Sequence, residues 1–235
     1  MDTIHTDIEL ASVSKSYPLG RSRVPIFEDL TLHIPTGDFL AIMGPSGSGK
    51  STILNLIGGI DQADAGTISI GGTALGRMGE RALTRWRARN IGFVFQFYNL
   101  MPRLSAAENV ELPLLLTPLS ARERRERVLT ILDIVGLSDR ARHLPSELSG
   151  GQQQRIGIAR AVASDPRILL CDEPTGDLDR KSANEILDLL QMLNRELGKT
   201  IVMVTHDDSA TRVARRTLLL DKGRFVARQE MPACA

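Results

Sequence analysis

The sequence predicts an α/β fold: a mostly parallel core sheet, an antiparallel β subdomain and an inserted helical subdomain. Three observations predict it. Residues 39–43, 91–95, 167–171 and 199–205 are continuous apolar runs, as expected of strands buried on both faces. The first of them leads through a glycine-rich stretch straight into a helix start. Residues 8–14 and 30–34 instead alternate apolar and polar, the mark of paired strands with one wet face.

Composition narrows the class. The 235 residues are enough for one sizeable core. Hydrophobic residues at 42% and charged residues at 24% are ordinary for a soluble globular chain. A net charge of +1, from 29 basic and 28 acidic residues, argues against a dedicated nucleic-acid binder. No apolar run approaches the roughly 18 residues of a membrane span. Residues 1–7 lack a basic region followed by an apolar stretch, so no signal peptide is expected. Cys171 lies in an apolar run and Cys234 in the tail, which predicts neither a disulfide nor a metal site. Together these point to the cytosol.

In chain order, Pro18, Gly20 and Pro25 mark a loop between the two alternating strands. Tyr17 stands just before it, where the ring either stacks on a base or covers the sheet edge. After the strand at 39–43, Gly44-Pro45-Ser46-Gly47-Ser48-Gly49-Lys50-Ser51, followed by Thr52, fits the phosphate-binding pattern G-x-x-x-x-G-K-[ST]. Its glycines let the backbone approach a phosphate closely. Its amides form an anion nest backed by the positive end of the helix over 51–57. Lys50 reaches the outer phosphates and Ser51 ligates Mg²⁺. Residues 66–72 read as a short strand and turn. Arg77, Arg81, Arg85, Arg87 and Arg89, with Trp86, read as a solvated helix face.

The strand at 91–95 ends at Gln96, and the character then changes. Residues 112–119 are apolar but broken by prolines. Residues 122–127 lead into Val128, Leu129, Ile131, Leu132 and Val135, an amphipathic helix capped near Gly136. Glu123 and Arg127 read as a pair on its surface. The core resumes with the strand at 167–171, a helix over 182–197, the strand at 199–205 and a hairpin of 217–221 with 224–228 about Lys222-Gly223. The expected organisation is one domain over 1–235: a core of 1–96 and 159–228, a helical subdomain of 97–158 and a loose tail of 229–235.

Gln96, the pair Asp172-Glu173, and His206 each end a buried strand, as the phosphate loop does. Ligands of parallel α/β sheets bind outside the carboxyl ends of strands, so these groups converge on one nucleotide. Asp172 and Ser51 suit the metal. Glu173 orients or deprotonates an attacking water, a role worth about 10²–10⁴-fold. His206 faces the γ-phosphate, and Gln96 the metal or the water. A second nest, Ser149, Gly150, Gly151 and Gln152, opens a helix over 153–163. One nucleotide uses both nests if two chains meet head to tail in an isologous dimer clamped by ATP.

With these motifs in this order, from Tyr17 to about Arg228, the chain resembles the ATP-binding subunits of ATP-binding-cassette transporters. The resemblance implies a P-loop NTPase (RecA-like) core. It implies that Tyr17 stacks on adenine, that Asp179 of the Asp177-Leu178-Asp179 stretch helps communication across the dimer, and that Gln96 links the site to a membrane partner. The implied cofactors are ATP and Mg²⁺. The implied partners are a second copy of the chain and an integral membrane permease or mechanotransmission subunit, not nucleic acid. The implied place is peripheral, on the cytoplasmic face of the inner membrane. Residues 55–59, 93–99, 145–155 and 172–176 are similar to the lipoprotein-releasing and macrolide-export branch, which implies export or mechanical work across the membrane. Cys171 and Asp177 depart from the alanine and asparagine usual there. Two rival readings stay open: a soluble ATPase of the superfamily acting on nucleic acid, and a slow ATP-gated scaffold. Residues 112–119 either border the partner's docking surface or belong to the subdomain core.

Overall fold

The computed structural model describes residues 6–20 and 22–226. β1 (Ile8–Leu19) and β2 (Ser22–Ile34) pair antiparallel. β3 (Phe39–Met43) opens the core sheet and runs through the glycine loop into α1 (Lys50–Ile57). β4 (Ala65–Ile70) and β5 (Thr73–Ala74) complete the first sheet, in the order β2-β1-β4-β5. α2 (Glu80–Asn90) leads into β6 (Ile91–Phe95). Then come α3 (Ala106–Glu111), α4 (Ala121–Ile134) and α5 (Gly150–Val162), which runs unbroken across residue 158. β7 (Ile168–Asp172), α6 (Arg180–Arg195), β8 (Thr200–Thr205), β9 (Arg216–Asp221) and β10 (Arg224–Val226) finish the chain. The core sheet has the order β10-β9-β3-β8-β7-β6 and is parallel except for β10.

Alternation along the core strands explains their apolar continuity. Ala41, Leu169, Cys171, Ile201 and Met203 join one cluster with α3, α4, α5 and α6. Leu40, Ile42, Leu170, Val202 and Val204 point to a second cluster with α1 and the antiparallel sheet. Both faces are covered, so every residue of β3 and β8 is buried.

Several expectations are corrected. The loop expected at 18–25 is strand: β1 runs on to Leu19 and β2 resumes at Ser22. β2 is an edge strand, and β1 has no second neighbour beyond Ser14, so Pro18 and Pro25 sit where an open edge tolerates a missing N–H. Glu123 does not pair with Arg127. Its carboxylate closes a capping box with Ser120, and the helix-surface pair is Arg122 Nε to Glu126 Oε1 at 2.9 Å. Satisfying the orphan amides of a helix start outweighs an exposed ion pair worth tenths of a kcal/mol. Leu129 is half exposed, unlike Val128, Ile131, Leu132 and Val135. α6 starts two residues early because Asp179 caps it, its carboxylate accepting from Lys181 N and Ser182 N. Within 112–119, Leu114 is buried but Leu116 is 82% exposed. In α2, Arg81, Arg85 and Arg89 are solvated as expected, whereas Arg87 donates to Gly59 O at 2.8 Å. Ala227 and Arg228 of the expected hairpin, the tail at 229–235 with Cys234, and residues 1–5 lie outside the described residues.

Candidate functional site

The phosphate loop is shaped by what surrounds it. A Cβ at Gly44 would fall 2.2 Å from Leu220 O, on the neighbouring strand β9. Gly49 has φ of 102°, the left-handed region, and a Cβ there would strike the Phe27 ring at 2.7 Å. Gly49 is also the N-cap of α1 and supplies no side-chain cap, so the first amides of the helix face the loop without a protein acceptor from that position. Lys50, 9% exposed, folds back over the loop. Its Nζ donates to Gly44 O at 2.8 Å and Pro45 O at 3.2 Å. The Ser48 hydroxyl is buried without a hydrogen-bond partner among the described residues. An uncapped helix start, a buried cation and an unpartnered buried hydroxyl together fit an anionic ligand.

The strand ends bring the acidic groups to the same place. Ser51 Oγ donates to Asp172 Oδ1 at 3.2 Å. Burial pushes the Asp172 carboxyl above its ordinary range; the Ser51 hydrogen bond and Lys50 oppose this, and the neighbouring Glu173 adds to it. Glu173 adopts φ of 47°, a left-handed conformation unusual for a side-chain-bearing residue, and its N–H donates to Val204 O at 2.9 Å. Such backbone strain, on the order of 1–3 kcal/mol, concentrates at functional positions. Glu173 Oε2 lies 2.8 Å from His206 Nδ1 and accepts from His206 N at 3.2 Å. Glu173 Oε1 lies 3.9 Å from Lys50 Nζ. The phosphate loop, Ser51, Asp172, Glu173 and His206 are therefore one contact network. Gln96 lies beside Gly176, three residues after Glu173: a Cβ at Gly176 would meet Gln96 Nε2 at 2.9 Å.

The other expected residues make their hydrogen bonds outside this network. The Tyr17 hydroxyl donates to Asp61 Oδ2 at 2.6 Å. Ser149 caps α5, its Oγ accepting from Gln152 N at 3.3 Å while its own N–H donates to Gln152 Oε1 at 2.9 Å. Asp179 caps α6, and hydrogen bonds from Ser182 hold its carboxyl below the usual range. The side-chain hydrogen bonds of Ser149, Gln152 and Asp179 thus stay within their own helix starts. The two starts touch, since a Cβ at Gly151 would meet Ser182 Oγ at 2.9 Å.

Three further groups were not singled out from the sequence. Gln154 of α5, fully buried, donates to Phe95 O at 3.2 Å and Pro174 O at 2.7 Å. It ties the residue before Gln96 to the residue after Glu173. Its signal was a glutamine on the face shared with Ile158. Arg160 donates to Tyr98 O at 2.8 Å and to Asn99 O, holding two consecutive left-handed residues after Gln96. Asp207 accepts from Ser209 N at 2.8 Å and Thr175 Oγ1 at 3.4 Å. Burial raises the Asp207 carboxyl, but those hydrogen bonds and His206 outweigh it and leave it below the ordinary range.

Comparisons with known proteins bear on this geometry. A family model described as ABC transporter matches residues 27–176. "Uncharacterized ABC transporter ATP-binding protein YvrO" of Bacillus subtilis strain 168 is 48% identical, over 93% of this chain and 95% of its own. "Lipoprotein-releasing system ATP-binding protein LolD 1" of Chlorobium chlorochromatii is 46% identical, over 92% of this chain and 89% of its own. Among solved structures, the "dimeric structure of a post-hydrolysis state of the ATP-binding cassette MJ0796 bound to ADP and Pi", from Methanocaldococcus jannaschii, superposes with a TM-score of 0.88. It is 43% identical and covers 97% of this chain and 100% of that one.

Proposed function

The chain belongs to the ABC transporter family, and on that premise we propose that two copies clamp ATP head to tail and drive a separate membrane subunit. The chain is an ATP-binding subunit of this family and an ATPase. The observation that carries the mechanistic reading is the network around Glu173, in which Lys50 and His206 hold the two ends of one carboxylate.

The residues divide the work as follows. The Gly44–Ser51 amides take the β- and γ-phosphates, and Lys50 swings from the Gly44 and Pro45 carbonyls to their oxygens as a compact point charge. Ser51 Oγ and Asp172 Oδ1, 3.2 Å apart, are the hard oxygen donors that a Mg²⁺ ion takes. When bound, Mg²⁺ neutralises charge building on the transferred phosphoryl group. His206 occupies Glu173 Oε2, so Glu173 Oε1 is the atom left to accept the proton of the attacking water. Gln96 orients that water or the metal, His206 meets the γ-phosphate, and Tyr17 supports the base. Ser149, Gly150, Gly151 and Gln152 of one copy close on the nucleotide held by the other, with Asp179 at the same contact.

The membrane partner would seat in the groove lined by Phe93, Phe95, Pro113, Leu116 and Arg160. Leu116 of that lining is 82% exposed. Among the described residues no helix is long and apolar enough to cross a membrane. Peripheral attachment at the cytoplasmic face follows from the proposal. The likeness to the lipoprotein-releasing relative favours release or export as the work performed.

Glu173→Gln tests the chemistry. It should keep ATP binding and lower turnover by about 10²–10⁴-fold; hydrolysis at the unmutated rate would refute the base. Leu116→Asp tests docking. It should lose capture of the membrane subunit while basal ATPase stays unchanged, and retained capture would remove this groove from the interface.

A further inference from the structure

We propose that Lys15 and Asp61 are positioning residues for the base-binding ring of Tyr17, so that affinity for the base is set by an ion pair outside the phosphate loop. The inference rests on the nucleotide reading above.

Lys15 and Tyr17 are two apart on β1 and share one side of the strand. The Lys15 ammonium is almost fully buried, at 8% residue exposure. It donates to Asp61 Oδ1 at 2.6 Å and to Gln62 O at 2.8 Å. It also stands 4.9 Å from the centroid of the Tyr17 ring. The other carboxylate oxygen, Asp61 Oδ2, accepts the Tyr17 hydroxyl at 2.6 Å. Asp61 is itself held, since Oδ1 also accepts from Gln62 N at 2.7 Å. Tyr17, Asp61 and Lys15 thus form a closed triangle in which every edge is a contact.

The triangle fixes the ring in two ways. The hydroxyl bond to Asp61 anchors the far end of the ring and so fixes the direction of its long axis. The ammonium over the ring occupies one face, a favourable cation–π contact, and leaves only the opposite face to a ligand. The triangle also sits beside the nucleotide loop. Asp61 follows α1 closely, and Thr52 in the first turn of α1 lies near the Tyr17 hydroxyl. A flat ring anchored at its hydroxyl, with a cation over one face and a phosphate cradle nearby, is preorganised for a planar base on its other face. A tyrosine that merely covered the sheet edge would need neither the buried cation nor the doubly anchored carboxylate.

The test compares two probes on the full chain with Mg²⁺: ATP and inorganic tripolyphosphate, which offers the phosphates without the base. Tyr17→Phe keeps the ring and deletes its tie to Asp61. Asp61→Asn keeps the shape but retains only one carbonyl acceptor for three donors, Lys15, Gln62 N and Tyr17. Each should weaken ATP binding about five- to tenfold, the scale of one typical hydrogen bond. Tripolyphosphate affinity should stay unchanged. The double variant should bind ATP no more weakly than either single one, because both break the same link. The proposal fails if ATP and tripolyphosphate weaken together, if ATP binding does not move, or if the two effects add. Lys50→Ala, run alongside, should lose both probes. Retention of both there would overturn the phosphate-loop reading itself and leaves a different signature from failure of the triangle.

Discussion

Two helices of this chain begin in glycine-rich sequence, and they begin differently. α1 starts at Gly49, which carries no capping group, and its first amides face the loop that Lys50 folds over. α5 starts at Ser149, which closes a reciprocal box with Gln152. The first start has no side-chain cap of its own and, with Lys50 folded over it, fits an anionic ligand. The second already satisfies two of its orphan groups and keeps the Gly150 and Gly151 amides for something else. The α5 box also differs from the boxes of α3 and α4. In those the serine hydroxyl donates to a glutamate, Ser105 to Glu108 at 2.7 Å and Ser120 to Glu123 at 2.6 Å. In α5 a neutral glutamine takes the glutamate's place, receives the Ser149 backbone N–H, and brings no negative charge to the first turn. On the proposed reading, the residue three places into a capped helix sets whether its start repels or admits a phosphate.

The largest test of this contrast removes the cation of the open start. Lys50→Ala should weaken ATP binding by about 2–3 kcal/mol, on the order of a hundredfold, because charge-assisted bonds to phosphate are lost. Calorimetric titration of the variant checks it. Retention of ATP affinity would overturn the phosphate-loop reading.

Next comes the closed start. Gln152→Glu converts the α5 box into the type found at α3 and α4. It should leave unfolding temperature unchanged or slightly higher, since the acid suits the helix dipole by about 0.3–1 kcal/mol. Yet it should cut ATP-dependent dimerisation and turnover by about tenfold or more, because a carboxylate would face the partner-bound phosphate. Light scattering with ATP and steady-state hydrolysis read the two effects. Normal dimerisation in this variant would detach the α5 start from the nucleotide.

The same contrast shows what could be read before the fold was known. β3, β7 and β8 were legible because burial on both faces leaves an uninterrupted apolar run, and the site residues at their ends followed from parallel topology. The ends of β1 and β2 were not, because Pro18 and Pro25 break strands in general but not at an open edge. The boxes Ser105-Glu108 and Ser120-Glu123 were written in the sequence at the right spacing, yet Glu123 was assigned to Arg127 because the i,i+4 pattern competes with the S-x-x-E pattern in the same stretch. Lys15 with Asp61, and Gln154 with Phe95 and Pro174, were out of reach. Their partners are 46, 59 and 20 residues distant and meet only once the sheets have packed.

The smallest effect separates the helix starts by acid. The carboxyls that cap α3, α4 and α6, those of Glu108, Glu123 and Asp179, are each held below their ordinary values, first by the side-chain hydrogen bond from their serine partners Ser105, Ser120 and Ser182. A folded-state value below the unfolded one means that these caps stabilise above the ordinary carboxyl range, and that the contribution disappears as pH falls through the depressed value. The α5 box is made of a hydroxyl and an amide and does not titrate, and α1 has no side-chain cap to lose. Between about pH 4.5 and pH 3, across the ordinary carboxyl range, amide hydrogen exchange corrected for its intrinsic pH dependence should speed up at the starts of α3, α4 and α6. It should stay flat at the starts of α1 and α5. Equal acceleration at α5 would show that its start opens with the acid-sensitive helices around it, and that the Ser149–Gln152 box does not hold that start by itself.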